Sequence, residues 1–427
     1  MPSLFSHRLE SNLSTTSAEA EIYRNSEFLS EAFMASSDRA RDALPKQHRA
    51  HFDELRREIL AFCDEFQIPK DTLGNIKAFE DSLRSKEIPP ERMAQAVSLF
   101  QQLEHLVTHG EPFKEKTLEY ADRLYRLTEQ YNAQVAFLEQ ADILKDGAIT
   151  GIDGQEYLLP TLEQIAQKLF ERREELSPKR DQGFTKLLLV PFGMSLGVLT
   201  DLLNNFLLSY KKDHQDFNVG TNQKPFSGWE NDDELDTQDP PLLIYNPKSF
   251  TFDNHQGFSK REVLEQQARD PLSFPGWIIH LFQPEDPRDP TSKGFAPIPL
   301  EGRGKVYGEG EEHPRPDLDA YHTPNQYLGT LQKAKDNPSS PYFLETGLTP
   351  EDWIVAFMIH LQETGTPLDN TWNNKEGGTC LLRCFYKAAR LCRILYMYWT
   401  AANNVSVDVQ NADQERRTVG VRTSVIL

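Results

Sequence analysis

The sequence has little cysteine, an excess of acid over base and no long apolar run, and each shortage excludes something. Four cysteines in 427 residues, Cys63, Cys380, Cys384 and Cys392, are too few for a disulfide scaffold of this size. Three of them follow a C-x3-C-x7-C spacing, without the C-x2-C pairs expected of zinc and iron–sulfur sites. Lys and Arg number 46 against 65 Asp and Glu, a formal charge of −19. A nucleic-acid partner is not expected, because phosphate neutralisation needs clustered cations. The longest apolar stretch, Leu187 to Leu208, is broken by Pro191, Asp201, Asn204 and Asn205, so no membrane-spanning helix is expected. The N-terminal MPSLFSHRLESNLSTTSAEAE has no apolar core of signal-peptide length. A cytoplasmic protein is the expectation, with association to a virion or a cell surface left open.

Catalytic signatures are equally scarce. The eleven histidines are dispersed with no H-E-x-x-H pair, and His280 and His360 read as structural. There is no G-x-S-x-G elbow, and EGRGKVYGEG (301–310) lacks the order of a phosphate loop. The acidic run ENDDELDTQD (230–239) lacks the spacing of a calcium loop and reads as solvated. No catalytic residue, metal ligand or cofactor is assigned.

What is present suggests an α+β protein. Residues 48–66 place Phe52, Leu55, Ile59, Phe62 and Phe66 at helical spacing, and 91–108 and 115–143 repeat the pattern. This predicts a helical bundle or oligomerisation domain over 1–146, bounded by the glycine-rich DGAITGIDGQEY (146–157). A connecting α/β segment over 147–213 holds a helix at 160–176, the strand KLLLVPF (186–192) and a helix starting at Ser195. From 214 to 427 short β-like runs, LLIYN (242–246) and GWIIHLF (276–282), stand among long irregular loops. One helix is well specified: Thr349 as N-cap, Pro350 at the first position, Asp352 completing a capping box and Gly365 as the stop. Trp353, Phe357 and Leu361 would share its sheet-facing side.

The segment CLLRCFYKAARLCRILYMYWTAANN (380–404) is cationic and apolar within an acidic chain. As a helix it would gather Arg383, Lys387, Arg390 and Arg393 on one stripe, the pattern of a membrane-surface or partner-binding helix over 380–402. Against this, Cys and Tyr are mediocre helix formers. Downstream, Val405, Val407 and Val409 alternate with polar residues as in a one-sided strand. The chain closes with a further strand, TVGVRTSVIL.

That close, with Gly420, Val421 and Arg422, resembles the terminal strand of the formylglycine-generating-enzyme type of C-type lectin-like fold. More narrowly, residues about 186–427 resemble the variable proteins of diversity-generating retroelements, through KLLLVPFGMSL (186–196), GRGK (302–305), YLGTLQ (327–332), GLTPEDW (347–353) and GVRTSV (420–425). The resemblance implies an N-terminal helical domain followed by a C-type lectin-like, non-enzymatic domain that binds a protein ligand, with homo-oligomerisation permitted. Its variable region would span about 380–414, rewritten by adenine-directed mutagenesis that never yields Lys, Glu, Gln, Met or Trp. Arg383, Phe385, Tyr386, Arg390, Arg393, Tyr396, Tyr398, Asn403, Asn404, Ser406 and Asp408 are then permitted contact positions. Trp353, Trp399, Gly420 and Arg422 are scaffold, as are Lys387 and Met397. An oxidase built on Cys380, Cys384 and Cys392 is a remote alternative, since their spacing departs from that of the catalytic relatives.

Overall fold

The computed structural model describes residues 37–427, except 75–77, 80–81, 84–85, 87, 89, 110–112, 222–223, 228–234, 271, 290, 301–315, 374–375 and 389. The glycine-rich 301–310 stretch, including GRGK, lies outside the described residues. The chain is α+β and divides into two compact units, Met1–Glu119 with Ala268–Ser273, and Tyr120–Gln267 with Phe274–Leu427.

The first unit is helical: α1 (Ser37–Ala43), α2 (Arg49–Phe66), α3 (Pro90–His109) and the start of α4 (Phe113–Tyr125). The apolar stripe of α2 forms its core. Phe52, Leu55, Ile59 and Phe62 are buried with Leu103 and with Phe79, whose ring stacks on Phe100 at 5.1 Å. Phe66 packs at the margin of that cluster.

The second unit continues from α4 into α5 (Leu127–Gln140), the hairpin β1 (Ala148–Thr150) and β2 (Glu156–Leu158), and α6 (Leu162–Glu171) and α7 (Arg173–Asp181). The single helix read at 160–176 is therefore two, meeting at Arg172. Next come β3 (Lys186–Val190), α8 (Leu196–Asp213), β4 (Phe226–Ser227), β5 (Leu243–Tyr245), α9 (Lys260–Arg269) and β6 (Ile278–Phe282). Ser195 caps α8 by accepting from the Val198 amide. The last part holds α10 (Pro324–Lys335), β7 (Glu345–Thr346) and α11 (Pro350–Thr364), then β8 (Gly378–Cys380), β9 (Cys384–Ala388), β10 (Leu391–Trp399) and β11 (Val405–Gln410). β12 (Val419–Gly420) and β13 (Ser424–Ile426) close it.

Two sheets organise this unit. β3-β6-β13-β7 form one, and β12-β8-β10-β11-β4, with β9 and β5 joined through β10, form the other. The closing TVGVRTSVIL, expected as one strand, is split between them. β12 pairs with β8 in the larger sheet, and β13 lies between β6 and β7 in the smaller. Val421–Thr423 cross from one to the other, which places Arg422 between the sheets.

α11 has the expected capping box and Pro350 at its start, and ends at Gly365 in the left-handed conformation. Its environment differs from the one-faced expectation: every residue from Pro350 to Leu361 is buried. A helix apolar on nearly all sides is a central core element. Glu351 and Asp352, the two acids of its first turn, are buried with it, and Glu351 has a fully buried cationic partner. Lys260 Nζ lies 2.8 Å from Glu351 Oε1 and 2.5 Å from Asp236 Oδ2. Asp236 thereby corrects the solvated reading of the acidic run. It is 3% exposed and also accepts from the Leu196 amide.

β3 is an edge strand, and its free edge is closed by side chains. Gln130 Oε1 accepts from the Leu187 amide and its Nε2 donates to the Thr185 carbonyl, both at 2.9 Å. One turn on, Gln134 Oε1 accepts from the Leu189 amide at 2.9 Å and its Nε2 donates to the Leu187 carbonyl at 2.5 Å. Two carboxamides on α5 thus substitute for a neighbouring strand, which protects an otherwise open edge. Gln134→Met keeps the bulk and the helix propensity but leaves the Leu187 carbonyl and Leu189 amide unpaired. The expected loss is about 2 kcal/mol, measured by urea unfolding; a loss within ~0.5 kcal/mol would show that water satisfies the edge as well.

Candidate functional site

The 380–404 segment is not helical. Residues 384–388 and 391–399 are strands, and β10 pairs along its length with β9, β8 and β11. The expected basic helical stripe does not form, because strand alternation sends neighbouring cations to different places. Arg383 is pinned, donating from Nε to Asn246 Oδ1 at 3.0 Å and facing Asp352 Oδ2 at 3.3 Å. Lys387 lies over the Phe252 ring at 4.5 Å. Arg390 is exposed in the β9–β10 turn with φ of 63°, and Arg393 donates to Asn411 Oδ1.

The register separates the remaining contact positions. Tyr396 pairs with Asp408 and Tyr398 with Ser406, so these four share one face of the β10–β11 ribbon. Their groups converge: both tyrosine hydroxyls donate to Asp408 Oδ2 at 3.0 Å, and the two rings stack with centroids 5.6 Å apart. Arg416, which the sequence did not single out, lays its guanidinium over the Tyr396 ring at 4.7 Å. Burial, followed by the bond to Asp408, holds the Tyr396 hydroxyl well above the ordinary tyrosine range. Both phenols therefore stay neutral donors. Tyr398 and Ser406 are half-buried and Asp408 is exposed. The cluster offers an aromatic platform, an anionic oxygen and a cation together, the mixture that suits protein contacts.

Arg393 and Tyr386 pair across β9 and β10 and, by the same alternation, face the other way. Asn403 and Asn404 lie in the β10–β11 turn, Asn403 with φ of 56°, and the Asn403 carbonyl accepts from the Gly220 amide at 2.8 Å. Phe385 is a correction: expected among contact positions, it is fully buried, with Phe250, Ile244 and Ile394 in one core cluster. Its place in β9 points it inward, so its ring packs the fold. Tyr396 is a second correction: at 4% exposed it belongs to the same core cluster as Phe385.

Behind this face lies a buried polar hub. Asp369 Oδ1 pairs with Arg422 Nη2 at 2.5 Å, and Oδ2 accepts from Trp353 Nε1 at 2.6 Å and from Thr379 Oγ1. The Asp369 carbonyl accepts the Trp399 amide at 3.0 Å, and Arg422 also donates to the Ala296 carbonyl. Trp353 and Arg422 thus meet at the carboxylate, and Trp399 at the main chain, of one residue that the sequence reading missed; Asp369 sits in no periodic pattern. Gly420 ends β12 just before the crossing, where a Cβ would meet Ile298 Cγ2 at 2.5 Å and the Ala320 main chain at 3.1 Å, so a larger residue would force a shift.

None of the three clustered thiols is shifted towards the thiolate, and burial raises half-buried Cys392 as well. Cys380 and Cys384 are fully buried and burial pushes both thiols up, opposite to the shift a thiolate nucleophile needs. His280 is a core histidine between Ser424 Oγ at 2.8 Å and Asp352 Oδ1 at 3.0 Å. Among the described residues no group of three or more His, Cys, Asp or Glu is placed to hold a metal, and no helix is long and apolar enough to cross a membrane. No protein-family model, curated protein or solved structure matches the chain.

Proposed function

We propose that this chain is a non-enzymatic ligand-binding protein whose second unit is a C-type lectin-like domain displaying the segment 380–414 to protein ligands. In this reading the segment is diversified by a retroelement. The observation that carries it is a separation of tasks. The sheets are joined by the buried Asp369, Arg422, Trp353 and Trp399, while Tyr398, Ser406 and Asp408 project from the same ribbon without serving that hub. A surface that is rewritten needs a frame that does not depend on it. The contact set is narrower than the sequence alone suggests: Tyr398, Ser406 and Asp408 with Arg390, Arg393, Tyr386 and the Asn403–Asn404 turn.

Genomic context tests the diversification directly. A reverse-transcriptase gene and a near-copy of the 380–414 coding region are expected beside this gene, and their absence would refute that part. The separation of tasks has its own test. The combined variant Tyr398→Ser, Ser406→Asn, Asp408→Asn, with substituents drawn from the permitted set, should cost no more than about 1–2 kcal/mol. Denaturant unfolding measures this, and loss of the folded state would end the proposal.

A further inference from the structure

The second unit also contains a cavity of about 310 Å³ bounded by α5, β3, Pro284, the residues Thr291 to Lys293 and the end of α11. Its floor is apolar: Phe137, Pro284 and Ile359 line it and are buried. Its rim is polar, with Glu129, Lys293 and Gln362 exposed around the small Ala133. Three cations border the space and two are already matched. Arg126 Nη2 lies 2.5 Å from Glu129 Oε2, and Lys186 Nζ lies 2.5 Å from Glu363 Oε2. The Lys293 ammonium has no partner among the described residues. One uncompensated positive charge therefore stands at the rim above an apolar floor.

The walls are fixed. α5 is held to β3 by the Gln130 and Gln134 carboxamides. Opposite it, Ser292 Oγ accepts from the Asp286 amide at 2.8 Å, and Thr291 Oγ1 donates to Asp289 Oδ1 at 2.7 Å. A ligand would enter without reordering either side, which keeps the entropic cost of binding low.

We infer that this cavity binds a small amphipathic monoanion, an apolar body carrying one carboxylate. The carboxylate would sit on Lys293 and the Gln362 carboxamide, with the body against Phe137 and Ile359. At about 310 Å³ the space is far larger than the ~10–15 Å³ that one water needs, so it takes an organic body. A bare inorganic anion would leave the floor unfilled, and a polyanion would face Glu129 and Glu363. A cation would meet Lys293.

Calorimetric titration of the full chain with octanoate, octylammonium and 1-octanol tests this. Octanoate should bind one site with a Kd of about 1 mM or tighter, and the other two at least ~tenfold more weakly. Ala133→Trp, at an exposed helix position, should fill the space and abolish binding, and Lys293→Glu should weaken it by at least ~tenfold. Lys293→Arg should retain it. Each variant should keep the parent's thermal midpoint without ligand. No octanoate binding, equal binding of the three probes, or binding unaffected by Ala133→Trp and Lys293→Glu would each overturn the inference.

Discussion

Asp369→Asn is expected to destabilise the second unit by about 3–5 kcal/mol, the cost of stripping one partner from a buried ion pair. Both oxygens of Asp369 face donors: the Arg422 guanidinium on one side, the Trp353 indole and the Thr379 hydroxyl on the other. An asparagine must turn its NH2 towards one of these sets, creating a donor facing a donor. Arg422, only 5% exposed, would also lose its countercharge. The backbone is not the cause, because Asp369 has φ of 54° and asparagine tolerates that region at least as well as aspartate. Urea unfolding followed by tryptophan fluorescence is a suitable readout, since Trp353 and Trp399 both touch the hub. Arg422→Met in the same chain should restore part of the loss, giving a coupling of at least ~1 kcal/mol. A cost under ~1 kcal/mol for the single change would mean that the sheets are joined by apolar packing alone.

How far such features can be read from sequence depends on the distance over which their causes act. α11 was legible because its signals are local: a threonine cap, a proline, an acid three residues on from the cap and a terminal glycine. The strands at 186 and 278 were legible as short apolar runs. The 380–404 segment was ambiguous because the cation spacing fits a helical stripe, while the outcome is decided by cross-strand partners. β10 is paired on both sides, with β11 spanning 405–410 and β9 and β8 opposite, and no local window contains those bonds. Phe385 and Tyr398 are chemically similar candidates for a contact surface. Both face the same core cluster, Phe385 inside it and Tyr398 at its margin, and that difference is set by tertiary packing no local window contains. The buried ions were least legible. Lys260, Asp236 and Glu351 lie in unrelated stretches, and nothing in their neighbourhoods distinguishes them from surface charges.

The expected acid sensitivity has a specific origin in His360. Its Nδ1 accepts from the Phe295 amide at 3.0 Å, which requires the neutral ring. Burial, followed by the nearby charges of Arg422 and Lys186, pushes its pKa from the ordinary 6.5 down to about 3. Between those two values the unfolded chain binds a proton that the folded chain does not. Stability should therefore fall as pH is lowered from 6.5 towards 3, by about 1.4 kcal/mol per pH unit from this group. Above 6.5 the group contributes no pH dependence. Asp352, held below the ordinary carboxylate range by His280 and Arg383 despite its burial, acts in a separate and more acidic window. Its stabilisation is present above the ordinary value of 3.8 and is lost as pH drops below it. His360→Gln retains an acceptor for the Phe295 amide and cannot titrate. Comparing pH 7.5 with pH 4.5, the parent should lose about 2–3 kcal/mol more stability than this variant. An identical loss in the two proteins would show that His360 gains its proton as readily in the folded state as in the unfolded one. The substitution may be made without touching the display face: His360 lies in α11, and its ring packs against Phe295 with centroids 6.3 Å apart.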